Sequence, residues 1–482
     1  MREYIESLGF VPVTAVWETT LACNLKCLHC GSRAGRPRKA ELDTGEALKL
    51  VHDLAKLGCK RVCLSGGEPL LRKDWPRIME EISRQGMTAS MITNGQAFKT
   101  EDAKAARDAG IRTLGISIDG IQDTHDAIRG AGSYAKVEKA MDLARNAGLH
   151  CAAITHVNRW NLDQLPRIHG MLRRHDIRVW QVQTGRPSGN MLDHRDLVIT
   201  PRDLLRLIPA IAELIREGGV RVVASDSIGY FGPQEELLRR QGQLKLPFFA
   251  GCMAGCRVIG IESDGGIKGC LSLPTQRNGC DEFLEGNLRE RSLSDIWHDP
   301  NAFAFNRQFT PAMLKGFCAT CPYGRICRGG CRWTVSTAGR GVDNPYCHYR
   351  VLVEEQGRLR GPKKRKYKTA AAFLAAALAA SGCYRQADSI HDKGPYDSGA
   401  SDSGGRDGAA GANADADTDT DADADTDADA DADADADSDA IGDSGCADCP
   451  DSPTCTCDYC VTDACACSDD CVTDTSSGFY MN

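Results

Sequence analysis

The chain has 482 residues, enough for two or three domains, and its two ends differ sharply in charge. Residues 384–482 carry 26 acidic and 3 basic side chains, which leaves 40 acidic and 55 basic ones in residues 1–383. The 24 cysteines lie mostly in tight clusters separated by long cysteine-poor stretches, which argues against a single disulfide framework and favours metal binding. We expect no nucleic-acid partner, and the basic front part would attract an acidic partner such as the chain's own tail.

Strand-like and helix-like segments alternate over residues 13–184. The predicted strands are Val13–Thr20, Arg61–Ser65, Thr88–Thr93, Thr113–Asp119, Leu149–His156 and Val179–Thr184. The predicted helices are Glu46–Leu57, Asp74–Gln85, Glu101–Ala109, Tyr134–Ala147 and Leu162–His175. Repeated βα units with glycine-marked turns predict an α/β fold, an open, partial (β/α)6 barrel of the TIM type. In such a barrel the chemistry lies at the C-terminal ends of the strands.

After residue 200 the amino-acid composition of the chain changes several times. We predict a barrel domain over residues 1–200, a helical connection over 201–250 and a small irregular cysteine-containing domain over 251–360. Over residues 361–383 a basic stretch, a short alanine-rich run and small residues before Cys383 are typical of a bacterial lipoprotein signal. The last two segments are a disordered Asp/Ala-rich linker, 384–445, and a cysteine-rich tail, 446–482.

Three cysteines, Cys23, Cys27 and Cys30, follow the first predicted strand with the spacing C-x3-C-x2-C. Three thiolates on one loop can hold three irons of a [4Fe–4S] cube and leave the fourth iron open. The next three predicted strands also end in distinctive segments. These are Leu64-Ser-Gly-Gly-Glu-Pro69, Met91-Ile-Thr-Asn-Gly95 and Ile116-Ser-Ile-Asp-Gly120, the last followed by His125-Asp-Ala-Ile-Arg129. Four such segments at four successive strand ends argue against ordinary glycine turns in a generic barrel.

Together these segments resemble the signature of the radical SAM superfamily. The resemblance implies that the open iron of the cluster chelates S-adenosylmethionine (SAM), whose reductive cleavage gives a 5′-deoxyadenosyl radical that abstracts a hydrogen from a substrate. It also implies SAM-binding roles at the strand ends, where glycines permit a close approach. The implied SAM-contacting residues are His29, Gly66, Gly67, Glu68, Asn94, Ser117 and Arg129.

The second cysteine set resembles the SPASM domain of that superfamily. Its order is Cys252-x12-Gly265-x4-Cys270, then Cys318-x2-Cys321-x5-Cys327-x3-Cys331, then Cys347, with Cys256 as an eighth cysteine. By analogy one auxiliary [4Fe–4S] cluster takes Cys252, Cys256, Cys270 and Cys331, and a second takes Cys318, Cys321, Cys327 and Cys347. A zinc knuckle on Cys318–Cys331 is the alternative, since four cysteines suit zinc equally well.

One position departs from the best-known SPASM group, the anaerobic sulfatase-maturing enzymes. Those enzymes carry a catalytic aspartate directly after the third of these cysteines, where this chain has Leu271. A formylglycine-generating role is therefore disfavoured, and the sequence names no general acid or base. Asp264 and Asp281 lie nearby but fit ordinary turn positions.

We expect the substrate to be a cysteine-rich ribosomal peptide, modified by thioether cross-linking or a related reaction, and the tail 446–482 is one candidate. The tail has three other interpretations: a disulfide-bonded module of an exported lipoprotein lipidated at Cys383, a metal-binding segment, or the product of two adjacent genes read as one. The enzymatic alternative is a small-molecule oxidase or decarboxylase of the heme-pathway kind. Residues 1–360 are expected in the cytoplasm with an electron donor such as flavodoxin or ferredoxin, and any membrane contact only through the lipoprotein-like part.

Overall fold

The computed structural model describes residues 9–242, 247–273, 281–339 and 341–360. The lipoprotein-signal-like segment with Cys383, the Asp/Ala-rich linker and the cysteine-rich tail lie outside these described residues, as does Cys280. Among the helices in the described ranges, none combines the length and the apolar character needed to cross a bilayer.

Within these ranges a single mixed sheet holds ten strands. The strands are β1 Thr14–Thr20, β2 Arg61–Gly66, β3 Thr88–Thr93, β4 Thr113–Ser117, β5 Cys151–Val157, β6 Val179–Thr184, β7 Arg221–Ala224, β8 Val258–Ile261, β9 Gly266–Lys268 and β10 Gly286–Asn287. Their order is β10-β9-β8-β1-β2-β3-β4-β5-β6-β7. Neighbours from β8 through β1 to β7 are parallel, and the β8–β9 and β9–β10 pairs are antiparallel. The parallel part brings the C-terminal ends of eight strands to one side.

Helices connect the parallel strands and cover the sheet. They are α1 Thr44–Lys56, α2 Trp75–Arg84, α3 Thr100–Asp108, α4 Gln122–Arg129, α5 Ser133–Asn146, α6 Leu165–Arg174, α7 Leu204–Glu217, α8 Glu235–Arg239, α9 Leu293–His298, α10 Ala304–Arg307, α11 Gly316–Thr320, α12 Gly324–Cys327, α13 Arg332–Ala338 and α14 His348–Arg360. Single 3₁₀ turns occur at Pro69–Leu71, Leu162–Gln164, Gly189–Leu192, Arg195–Leu197, Pro201–Asp203 and Pro311–Met313. Local sequence explains where α1 begins: the Asp43 carboxylate accepts from the Glu46 N–H at 2.8 Å, and Glu46 accepts from the Asp43 N–H at 2.9 Å.

The first strand lies at the centre of the hydrophobic core. All seven residues of β1 are buried, and Trp17 has no exposed surface. Leu50 and Leu54 of α1 and Ile78 of α2 belong to the same core. β1 also carries a buried charge, because the Glu18 carboxylate accepts from Arg38 Nε at 2.7 Å and from Ser263 Oγ at 2.9 Å. These bonds tie the first strand to the turn between β8 and β9.

The predicted alternation is confirmed, with most element boundaries shifted by one or two residues and a shorter sixth helix. The structure corrects the prediction of a purely helical connection over 201–250, because β7 lies inside that segment. It also adds β8, which pairs with β1 and extends the barrel sheet into the cysteine-rich segment. These strands have four residues or fewer, too short for sequence periodicity to reveal.

Candidate active site

The loop after β1 presents Cys23, Cys27 and Cys30 at the C-terminal side of the sheet. The loop folds back on itself, since the Cys23 N–H donates to the Gly35 carbonyl at 3.1 Å. Cys27 is buried and the other two are half-buried. Burial, reinforced by the neighbouring thiols, raises the pKa of Cys23 to about 11 and that of Cys27 to about 12. A bound metal is needed to keep such thiols ionised, which is the usual coupling of thiolate ligation to proton release.

Two glycines at the end of β2 pack directly against this loop. The Gly67 N–H donates to the Thr20 carbonyl and the Glu68 N–H to the Ala22 carbonyl, both at 2.8 Å. A Cβ on Gly67 would lie 2.1 Å from the Ala22 carbonyl oxygen, and one on Gly66 2.3 Å from that of Thr20. Only glycine permits this approach. Both N–H groups are therefore used within the fold, by backbone carbonyls at the end of β1 and the start of the cysteine loop.

The buried Glu68 side chain connects the end of β2 to the end of β3 through hydrogen bonds. Its carboxylate accepts from Thr93 Oγ1 at 2.7 Å, from the Asn94 N–H at 2.7 Å and from the Leu70 N–H at 3.2 Å. Burial raises the pKa of Glu68 to about 7 despite these bonds. Asn94 continues the link, because its Nδ2 lies 3.8 Å from Cys23 Sγ. Glu68 therefore supports the cysteine loop from inside the fold.

A fully buried carboxylate that the sequence analysis did not single out, Asp119, organises the next strand end. Its Oδ2 lies 2.6 Å from Arg129 Nε and 2.7 Å from His29 Nε2, and its Oδ1 accepts from the His156 N–H at 2.7 Å. Burial would raise the pKa of Asp119, but the charges of Arg129 and His29 hold it well below its usual range. Asp119 thus joins two predicted site residues, and Arg129 also reaches to 4.0 Å from Cys27 Sγ.

Ser117, the last residue of β4, is buried two positions before that carboxylate. The predicted SAM-contacting residues therefore gather at the ends of β2, β3 and β4 around the cysteine loop. Asp119 lies within the Ile116–Gly120 segment that the sequence singled out. The sequence alone did not reveal that His29 and Arg129 both contact its carboxylate.

His156, at the end of β5, leads from this network into a cavity. Its ring meets the His29 ring edge-on, with centroids 4.6 Å apart. Neither ring nitrogen has a hydrogen-bond partner among the described residues, and burial lowers the pKa of His156 to about 3, so the ring is neutral. Gly185 makes room for it, since a Cβ there would lie 1.7 Å from His156 Nε2. Sequence periodicity placed His156 in a strand without indicating that it faces a cavity.

The cavity has an empty volume of about 850 Å³, including the part open to solvent. His29, Gly31 and His156 line one side of it. Cys252, Cys270 and Cys331, three of the four cysteines predicted for the first auxiliary cluster, line another. The fourth, Cys256, is buried but is not among the lining residues. Cys23, Cys27 and Cys30 do not line the cavity themselves, but their loop does through His29 and Gly31, so that loop and three SPASM-like cysteines share one space.

The other four SPASM-like cysteines surround a second, smaller pocket of about 330 Å³. Its lining includes Cys318, Cys321, Cys327 and Cys347, the four residues grouped together from sequence. Aromatic rings form much of the remaining wall, with Phe231 stacked on Tyr323 at a centroid distance of 4.3 Å. Burial raises the pKa of Cys347 to about 12.

Tyr230 lies between the two cysteine pockets. Its hydroxyl accepts from the Cys331 N–H at 3.0 Å, and its carbonyl oxygen lies 3.9 Å from Cys347 Sγ. The residue is fully buried with a φ of 88°, a region that non-glycine residues rarely adopt. Tyr230 therefore holds both cysteine groups in a fixed relation.

The acidic residues near Leu271 have structural contacts. Asp281 lies 3.2 Å from the buried Lys268 Nζ, and Asp264 accepts from the Gly266 N–H at 3.3 Å within a turn. Leu271 itself is buried in the fold, whereas the adjacent Ser272 lines the cavity. Neither aspartate lines the cavity.

Comparison with known proteins agrees with this geometry. Residues 17–172 match the family model of the radical SAM superfamily, and residues 252–322 match that of SPASM, an iron–sulfur cluster-binding domain. The AdoMet-dependent heme synthase of Methanosarcina barkeri is 30% identical over 351 residues, which cover 70% of this chain and 97% of that protein. The chain belongs to the radical SAM superfamily. The mycofactocin maturase of Mycolicibacterium smegmatis is another relative of this radical SAM enzyme, 29% identical over 340 residues, covering 69% of this chain and 81% of the maturase.

Solved structures share the radical SAM fold. SuiB of Streptococcus suis bound to S-adenosylmethionine superposes with a TM-score of 0.56 at 18% identity, covering 70% of this chain and 76% of SuiB. The protein anSMEcpe with bound AdoMet gives a TM-score of 0.55 at 19% identity, covering 71% of this chain and 96% of anSMEcpe. At these identities the likeness concerns the fold alone.

Radical SAM enzymes with a SPASM domain use a [4Fe–4S] cluster, SAM and auxiliary iron–sulfur clusters, and these are the cofactors of this enzyme. The residues present suit them. The loop after β1 offers three cysteines, the glycines at the end of β2 let that loop pack closely against the strand end, and two further cysteine groups line separate pockets.

Proposed function

We propose that this radical SAM enzyme modifies a substrate held in the cavity between the cysteine loop and the first group of SPASM cysteines. The observation that carries the proposal is the shared lining, which includes His29 of the cysteine loop together with Cys252, Cys270 and Cys331. When bound, the cluster and SAM supply a 5′-deoxyadenosyl radical for hydrogen abstraction. The protein positions the reactants and excludes water.

We assign the cofactors to the following residues. Cys23, Cys27 and Cys30 would hold the SAM-binding cluster, with Gly66, Gly67, Asn94, Ser117, Arg129 and His29 around SAM. Glu68 would support this site through Thr93 and Asn94. Cys252, Cys270 and Cys331, with Cys256, would hold the first auxiliary cluster, and Cys318, Cys321, Cys327 and Cys347 the second.

A zinc site on Cys318–Cys331 is less well supported than a cluster. A tetrahedral zinc–thiolate site, with Zn–S bonds of about 2.3 Å, draws its sulfurs to within about 4 Å of one another. Across the described ranges, no three His, Cys, Asp or Glu side chains converge closely enough to hold a single metal ion. The four cysteines of the smaller pocket are also not the set that the zinc knuckle needs, because Cys331 lines the large cavity and Cys347 takes its place.

The first candidate substrate is a cysteine-rich peptide. Support comes from a relative named mycofactocin maturase and from the chain itself, which carries eight cysteines between Cys446 and Cys471. A substrate on the same chain would have a high effective concentration at the cavity. A flexible chain of 62 residues, the number between Cys383 and Cys446, has a root-mean-square end-to-end distance of roughly 43 Å. Modification would precede any export and lipidation at Cys383.

The second candidate is a small-molecule substrate of the heme-pathway kind. It is favoured by the relative named AdoMet-dependent heme synthase, of which this chain covers 97%. Its substrate would enter the same cavity, and the tail would then be dispensable for turnover.

The test is anaerobic reconstitution of the full chain with iron and sulfide, followed by SAM and a reductant such as reduced flavodoxin. We expect 5′-deoxyadenosine from the wild type and none from Cys27→Ser, whereas Cys151→Ser, at the opposite end of β5 from the cavity-lining His156, should retain activity. Mass spectrometry of the proteolysed tail then separates the substrates. Loss of a pair of hydrogens per cross-link and alkylation-resistant cysteines in 446–471 support the peptide.

Deoxyadenosine with an unchanged tail would exclude the chain's own tail as the substrate. Turnover of an added porphyrin by a variant with all eight tail cysteines replaced by serine would then support the small-molecule candidate. Absence of deoxyadenosine from a fully loaded wild type would contradict the proposed function altogether.

A further inference from the structure

Arg186 is a buried cation without a carboxylate partner in the described part of the chain. It follows β6 by two residues, lines the large cavity and is 1% exposed. Three arginines in the described ranges are buried, and the other two have carboxylates: Arg129 lies 2.6 Å from Asp119, and Arg239 lies 3.1 Å from Glu235. Besides burial, the groups that most affect the pKa of Arg186 are Tyr346, Tyr230 and Cys331, and none of them is a carboxylic acid.

Neutral contacts hold the guanidinium in place. One terminal nitrogen donates to the Gly185 carbonyl and the other to Thr184 Oγ1, each at 3.1 Å. The group also lies over the Tyr346 ring, 3.3 Å from the centroid. Burial lowers the pKa of Arg186, but an arginine stays protonated in proteins, so the cavity contains a positive charge. A buried charge without a counter-charge is costly, which makes the site selective for an anion.

Other groups around the cavity also lack acceptors. Arg186 Nε and Trp333 Nε1 are buried donors with no hydrogen-bond partner among the described residues, and His156 offers a neutral ring. Among the described residues that line the same space, the one carboxylate is that of Asp226. It lies 3.9 Å from Arg239, which also pairs with Glu235, and burial raises the pKa of Asp226 toward its neutral form. The cavity therefore holds two buried N–H donors that lack an acceptor among the described residues, on a wall that also includes Met191 and Met253.

We propose that Arg186 binds a carboxylate of the substrate in this cavity. A planar guanidinium pairs with a carboxylate through two parallel N–H···O bonds, which orients as well as binds it. The inference rests on the proposed function, since it requires the substrate to enter this cavity. The carboxylate could belong to an acidic side chain or C-terminus of a peptide or to a propionate group of a tetrapyrrole.

The competing explanation is that Arg186 only offsets the negative charge of an auxiliary cluster held partly by Cys331. The two explanations predict different effects of Arg186→Gln. A counter-charge for the cluster would alter its iron content or electron paramagnetic resonance (EPR) signal. A substrate-binding residue would leave both unchanged and weaken binding of carboxylate compounds.

The experiment is an anaerobic binding titration of the reconstituted full chain. The probes are a synthetic 446–482 peptide and Fe-coproporphyrin III, each beside a neutralised form, namely the peptide with asparagine for aspartate and an amidated C-terminus, and the porphyrin methyl ester. Arg186→Gln should weaken binding of at least one acid by about 10- to 100-fold, the range of a lost charge-assisted hydrogen bond. Arg186→Lys should retain part of the affinity, and Arg195→Gln, at an exposed arginine, all of it.

The neutralised probe should bind the wild type as weakly as the acid binds Arg186→Gln, with no further loss when both changes are combined. The acid that responds identifies the source of the carboxylate. Equal binding of acid and neutral forms, binding of neither acid by the wild type, or loss of iron from Arg186→Gln would overturn the proposal. The titration does not depend on turnover, so a wild type that forms no deoxyadenosine refutes the proposed function separately.

Discussion

Replacement of Asp119 by asparagine tests the network that joins the cysteine loop to α4 and β5. The substitution keeps the shape of the side chain but removes the negative charge that faces Arg129. It also places an amide N–H₂, which is a hydrogen-bond donor, where Arg129, His29 or the His156 N–H needs an acceptor. Both ion-pair partners are buried, with side-chain exposures of 6% and 0%, so water cannot replace the lost bond. Leaving one member of a buried pair uncompensated costs about 3–5 kcal/mol. We therefore expect Asp119→Asn to lower the free energy of unfolding by about that amount.

The assay is anaerobic urea unfolding of reconstituted protein, in which the midpoint should fall by about 1 M or more. Asp123→Asn, at an exposed position on α4, is the matched control and should change the free energy of unfolding by less than about 0.5 kcal/mol. In the double variant Asp119→Asn with Arg129→Gln, the loss should be smaller than the sum of the two single losses. An Asp119→Asn midpoint equal to that of the control would refute the reasoning.

Three further predictions concern the cysteine sites. Gly67→Ala should abolish the absorbance of the SAM-binding cluster, because the new Cβ would lie 2.1 Å from the Ala22 carbonyl oxygen. Gly35→Ala, in the cysteine loop itself, should keep the absorbance, because its Cβ would have nothing within 4 Å. With a pKa raised from 4.5 to about 7, Glu68 stabilises the fold below pH 4.5 and loses that contribution as pH rises to 7. In the wild type the free energy of unfolding should therefore fall by roughly 3 kcal/mol over that interval, and Glu68→Gln should remove this fall. A Glu68→Gln variant whose free energy of unfolding, measured by urea titration, falls with pH as in the wild type would contradict this. Cys327→Ser should lower iron content by about four atoms per chain, and Cys151→Ser should not.

Local patterns determined much of the fold and part of the site. Alternating strand and helix periods located the strands β1 to β6, because each is a short segment whose side-chain pattern repeats along the chain. The grouping of Cys318, Cys321, Cys327 and Cys347 also followed from the sequence, by resemblance, and the structure brings all four to one pocket. Spacing along a loop constrains where its cysteines can lie.

Only the tertiary structure decided the remaining features. The pairing of β1 with β8 joins Thr14 to Val258, and no local pattern encodes a contact across so much intervening chain. The same holds for charges: the shared carboxylate of Asp119 and the lack of a carboxylate beside Arg186 among the described residues depend on which side chains meet in the folded interior. Sequence determines which groups are present and their local periodicity. Long-range packing decides which charges are buried together. It therefore determines both the Asp119 network at the cysteine loop and the burial of Arg186 in the cavity.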